Sequence, residues 1–78
     1  MINFKILEPI FQDVFSDTSL KISESTDSGN LAGWDSFNHI NLTVALEEKF
    51  NISFSTQEIA KLTSVKEIIV ALEAKGVK

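Results

Sequence analysis

Asp35, Ser36 and His39 are the residues of this sequence whose types and spacing could do chemistry. An acid, a hydroxyl and the only imidazole of the chain have the composition of a serine hydrolase triad. The spacing argues against one. Nucleophile and base would sit three residues apart on one exposed helix, with no strained elbow, no second loop to supply an oxyanion hole and no pocket to exclude water. A metal site is equally unsupported, since one histidine and scattered carboxylates offer no ligand spacing. His39 is read as a partly packed residue near the Leu42 and Leu46 side of its helix, and no residue is assigned a catalytic role. Asp35 just before a helical pattern is a good N-cap, worth ~1 kcal/mol. Ser36 then lies at the helix N-terminus facing water. A phosphate attached there would meet free backbone N–H groups and the positive end of the helix dipole.

The helix that must position these residues spans about 36 to 50, and its apolar side chains fall in two stripes. At ~100° per residue, Leu42, Leu46 and Phe50 group on one side, while Phe37, Ile40 and Val44 fall within about 60° of one another on nearly the opposite side. A small bundle buries one stripe fully. The other should be at least partly exposed beside Ser36, bordered by Asn41, Glu47 and Glu48, as a docking surface would be. The competing reading is a central helix packed on both faces.

The remaining elements follow from periodicity and punctuation. Phe4, Leu7, Ile10, Phe11, Val14 and Phe15 recur at three- and four-residue spacing and mark a first helix reaching about Phe15 or Ser16. Pro9 sets two alternatives: a start near Glu8 with Pro9 in the first turn, or a run from Asn3 with a kink, so the start lies around residues 3–8. Residues 17–33 are rich in Ser, Thr, Asp, Asn and Gly without sustained period, which predicts a long loop pinned to the core by Leu20, Ile22 and Leu31. Trp34, the only tryptophan, is a packing anchor at its end. Asn51-Ile52-Ser53-Phe54 is too short for a paired strand and reads as a loop with two core plugs. Ser55-Thr56-Gln57-Glu58 has capping-box spacing and opens a short helix carrying Ile59 and Leu62. Ser64-Val65-Lys66-Glu67 repeats that signal before a last helix whose Val65, Ile68, Ile69 and Leu72 face the core, with Gly76 as its stop. The fold class is all-α: a single domain over residues 1–78, a small four-helix bundle of three longer helices and one short one, with a long loop between helices one and two.

A chain of 78 residues is near the size at which one core gives only roughly 3–5 kcal/mol, so a deep enzymatic cleft is not expected. There is no cysteine, hence neither a disulfide framework nor a thiolate metal site. No segment approaches the ~20 apolar residues of a membrane span, and the expected location is cytoplasmic, as a monomer. Charge is uneven: residues 1–59 carry three lysines against nine acids, and residues 60–78 four lysines against two acids. With no arginine and an acidic body, a basic protein surface is a better partner than nucleic acid.

Gly33-Trp34-Asp35-Ser36-Phe37 at the head of the second helix, Ala45-Leu46-Glu47-Glu48-Lys49-Phe50 downstream, and Ile52 and Phe54 beyond give the chain a pattern that resembles the acyl carrier protein and peptidyl carrier protein family over essentially its whole length. The resemblance implies that Ser36 carries 4′-phosphopantetheine, added from coenzyme A by a phosphopantetheinyl transferase, with Asp35 in support. The arm would tether acyl or aminoacyl groups as thioesters while an acyltransferase, synthetase or synthase of the pathway acts on them. Phe37, Ile40, Asn41, Val44, Glu47 and Glu48 would then meet partners, and Leu42, Leu46, Phe50, Phe54, Ile59 and Leu62 would line the interior where family members can shelter an acyl chain. Such a protein is not an enzyme.

Two departures narrow the role. Phe37 stands where the family shows leucine after the serine, and Asn38, His39 and Asn41 stand where fatty-acid carriers often show acids. They imply a dedicated pathway, such as polyketide-like, modified-lipid, surface-glycan or aminoacyl transfer, rather than general fatty-acid synthesis. The alternative is a helical interaction module that keeps the carrier fold and is never modified.

Overall fold

In the computed structural model, residues 3–77 are described, and they form four helices: α1 (Phe4–Val14), α2 (Ser36–Phe50), α3 (Thr56–Lys61) and α4 (Val65–Ala74). This is the expected all-α order of three longer helices and one short one. α1 begins at the early end of the expected range because the Asn3 side chain caps it, accepting the Lys5 N–H at 2.9 Å. Pro9 therefore lies inside the helix and not in its first turn. The helix keeps its place through Leu7 and Phe11, both fully buried one turn apart. It ends at Val14, slightly short of the expected Phe15 or Ser16, where Ser16 turns the chain with φ +53°.

Short polar signals set most other boundaries. Ser55 and Glu58 close a reciprocal capping box on α3, with both hydrogen bonds formed. At α4 only half of the expected box is found: Ser64 accepts the Glu67 N–H at 3.0 Å, and it lies opposite Asp27 in an isolated bridge whose hydrogen bonds are made by the neighbouring residues. Asn51 ends α2 in the left-handed conformation (φ 55°). Gly76, at φ +86°, stops the last helix, where the Val77 N–H returns to the Leu72 carbonyl at 3.1 Å.

The core is a single cluster of Leu7, Phe11, Ile22, Trp34, Leu42, Leu46, Phe54, Leu62, Val65, Ile68 and Leu72. Ile22 carries the long loop into it, and Leu20 and Leu31 pack against its edge. Hydrogen bonds hold the same loop. α1 contributes the Glu8 carboxylate, accepting the Ile22 N–H at 3.0 Å, and the Gln12 amide, donating to the Leu20 carbonyl at 3.0 Å. Further along, the Ser28 N–H donates to the Thr63 carbonyl and the Val65 N–H to the Thr26 carbonyl, both at 2.9 Å. These two bonds fasten the loop to the α3–α4 junction, so the approach to α2 is fixed from both sides.

Candidate functional site

Gly33 delivers the chain to the head of α2. Its φ of +91° is open to glycine at no steric cost, and its carbonyl accepts the Asp35 N–H at 2.9 Å and the Asn38 side-chain amide at 2.8 Å. Asp35 is the N-cap: its carboxylate accepts the Asn38 N–H at 2.9 Å, and its carbonyl accepts the His39 N–H at 2.8 Å. Ser36 is the first helical residue and is exposed. The N–H groups of Ser36 and Phe37 have no acceptor among the described residues. An anion bonded to the Ser36 hydroxyl would meet those donors and the positive end of a helix fifteen residues long.

Beside Ser36 lies an open depression lined by Ser28, Trp34, Asp35, Ser36, His39, Ile40, Ala60 and Thr63. Hydroxyl-bearing and apolar side chains both contribute to its lining. Trp34 forms one wall from within the core, edge-on to Phe11 and Phe15 at centroid separations of 5.3 and 6.4 Å. His39 has more structure around it than its sequence position suggested. Its Nδ1 accepts the Trp34 indole N–H at 3.0 Å, and its Nε2 lies 2.7 Å from the Ile59 carbonyl of α3. Nothing in the sequence near His39 signals that second partner, which is twenty residues away.

Down the helix the two stripes separate as their angles require. Leu42 and Leu46 are fully buried, with Phe50 partly buried beside them. Phe37, Ile40 and Val44 are 74, 52 and 46% exposed, so among the described residues α2 is not packed on both faces. Asn41 and Glu48 border them in solvent. Glu47 differs from its expected place on an open rim: it is half-buried, and its carboxylate accepts the Phe54 N–H at 2.8 Å. That bond ties the α2–α3 loop to α2, with the Ile52 N–H returning to the Glu47 carbonyl at 3.1 Å. Thr43, missed by a search for apolar stripes, is buried with its hydroxyl donating to the Ile40 carbonyl at 2.8 Å. Of the expected interior residues beyond α2, Phe54 and Leu62 are buried and Ile59 is partly buried.

The solution NMR structure of a holo acyl carrier protein from Geobacter metallireducens matches this fold with a TM-score of 0.85 and 35% sequence identity, over 96% of this chain and 86% of that one. The chain belongs to the acyl carrier protein family. No family model and no curated protein matches it. As an acyl carrier protein it is a carrier and not an enzyme, in keeping with an Asp35, Ser36 and His39 arrangement in which the carboxylate caps the helix and the imidazole is engaged with Trp34 and Ile59. Among the described residues no helix of the carrier is long and apolar enough to cross a membrane, and no group of three or more His, Cys, Asp or Glu could hold a metal ion.

Proposed function

We propose that Ser36 is the attachment residue for 4′-phosphopantetheine and that the carrier presents acyl or aminoacyl groups to enzymes of a dedicated biosynthetic pathway in the cytoplasm. The observation that carries this reading is the exposed Ser36 hydroxyl at the first position of α2, with two backbone N–H groups beside it and the depression alongside. The similar solved structure is itself a holo form, which supports the same cofactor here.

Attachment is a phosphoryl transfer catalysed by a partner transferase. The Ser36 hydroxyl oxygen bonds to the phosphorus that carries the pantetheine of coenzyme A, the bond to the departing 3′,5′-ADP breaks, and the serine proton leaves to a base on the transferase. When bound, the arm supplies a terminal thiol that holds the cargo as a thioester. The residues of this chain do the rest by position. Asp35 holds the first turn so that the Ser36 oxygen points to solvent, and its charge is available to the transferase and its metal. The N–H groups of Ser36 and Phe37 stabilise the phosphodiester. Phe37, Ile40 and Val44 form the apolar docking face, Asn41 and Glu48 its rim, and Glu47 its edge toward the α2–α3 loop. Acidic rim charges favour basic partner surfaces and speed encounter more than they add affinity. Leu42, Leu46, Phe50, Phe54, Ile59 and Leu62 line the interior available to a chain.

Phe37, Asn38, His39 and Asn41 make this face bulkier and less acidic than that of general fatty-acid carriers, which supports a dedicated pathway. Intact mass after incubation with coenzyme A and a broad-specificity phosphopantetheinyl transferase tests the assignment. One added phosphopantetheine in the native chain and none in Ser36→Ala is the expected result. A folded native chain that gains nothing with any transferase refutes it and leaves an unmodified interaction module.

A further inference from the structure

α3 is held by one half-buried apolar side chain, Ile59, which packs against the core, and by polar ties at both ends. It contributes no buried residue of its own, although Phe54 just before it and Leu62 just after it belong to the core. At its N-terminal end Glu58 caps the helix through Ser55 and pairs with Lys75 of the α4 cap at 3.1 Å. At its C-terminal end the Ile59 carbonyl meets the His39 ring at 2.7 Å. An element with little apolar burial opens at lower free energy than the core around it, so each polar tie weighs heavily in keeping it closed.

The His39 tie has a defined polarity. An indole N–H can only donate and a carbonyl can only accept, so His39 Nδ1 accepts from Trp34 and Nε2 donates to Ile59. One neutral ring thus joins the residue that anchors the loop, the first turn of α2 and the last turn of α3. It lies one helical turn from Ser36 and forms part of the wall of the depression beside it.

We infer that His39 is a positioning residue, a latch that keeps α3 closed against the core at the Ser36 end. On the carrier reading, on which this inference rests, release of the His39–Ile59 bond opens the way from Ser36 to the interior lined by Leu42, Leu46 and Leu62. The latch decides whether cargo lies in the surface depression or inside the bundle.

Two substitutions separate the two nitrogens. In His39→Gln the side-chain N–H group replaces Nε2 and keeps a donor for Ile59, whereas in His39→Asn the carbonyl oxygen replaces Nδ1 and keeps only the acceptor for Trp34. Amide hydrogen exchange on the unmodified proteins should show the α3 amides exchanging roughly five- to tenfold faster in His39→Asn, near native rates in His39→Gln, and unchanged rates in α1 and α4. Equal α3 rates in all three proteins, or acceleration shared by α1 and α4, overturns the latch. With an octanoyl arm loaded from octanoyl-CoA as probe, the Leu42, Leu46 and Leu62 methyl resonances should shift further from their unmodified positions in His39→Asn than in the native chain. Identical shifts overturn the control of cargo. Failure of every chain to accept an arm counts against the carrier reading, and the exchange rates still decide whether His39 holds α3.

Discussion

Lys75 and Glu58 join the end of α4 to the start of α3: the ammonium lies 3.1 Å from the carboxylate and 5.4 Å from the centre of the Phe54 ring. The Ser55 N–H, and after it the Lys75 ammonium, hold the Glu58 carboxyl below the usual glutamate range. A folded-state pKa that is depressed adds stability that is fully present above the unfolded value and disappears as pH falls through the folded one. Acid should therefore loosen α3 as the pH drops from the ordinary glutamate range downward. Thermal unfolding of the native chain and Glu58→Gln, from neutral pH to below that range, checks this: the variant should start lower and lose less on acidification.

Asp35 has two separable roles. Asparagine is as good an N-cap as aspartate, so Asp35→Asn should melt near the native temperature, while Asp35→Ala loses ~1 kcal/mol. If the charge serves the transferase, both variants gain phosphopantetheine more slowly than the native chain. Modification of Asp35→Asn at the native rate would reduce Asp35 to a cap. Melting curves and a mass-spectrometric time course together give the answer.

The two stripes of α2 should respond oppositely. Val44→Asp places a charge on a half-exposed position and should leave helicity and melting temperature nearly unchanged while weakening transfer to and from partner enzymes. Leu46→Ala truncates a fully buried side chain and should cost ~2–5 kcal/mol, enough to unfold much of the population in a domain this small. Circular dichroism against temperature distinguishes them.

Gly33 is a further point of control. A Cβ there would lie 3.5 Å from the Phe15 ring, an ordinary contact, so the cost of Gly33→Ala is set by the backbone. Forcing alanine to φ +91° should destabilise the fold by roughly 1–2 kcal/mol or shift the head of α2. Denaturant unfolding measures the first, and a slower modification of Ser36 reports the second.

Local rules were enough for much of this fold. Asp35 before a periodic run, Ser55 three residues before Glu58, and Gly76 after Leu72 each satisfy the free backbone groups of a helix end, and chemistry of that range is written in neighbouring residues. The opposed stripes of α2 were legible for the same reason, since angle follows from spacing. What lay beyond the sequence was set by tertiary pairing. Asn3 and the buried Leu7 and Phe11 hold α1 past Pro9, Glu47 turns from a rim to the Phe54 backbone, and His39 finds Ile59 only because α3 folds back beside α2. Backbone N–H and carbonyl groups carry no residue identity, so no motif could announce those two partners.

The Trp34 ring, locked between Phe11 of α1, Phe15 just beyond its end and the imidazole of α2, has an optical consequence. With one tryptophan and no tyrosine in the chain, near-ultraviolet emission arises almost wholly from that ring. Its colour and intensity depend on the packing of Phe11 and Phe15, on the His39 contact and on what fills the depression beside Ser36. If Ser36 is loaded as proposed, the chain carries a built-in fluorophore beside that point, so attachment, cargo and partner docking can be followed as light without any added label.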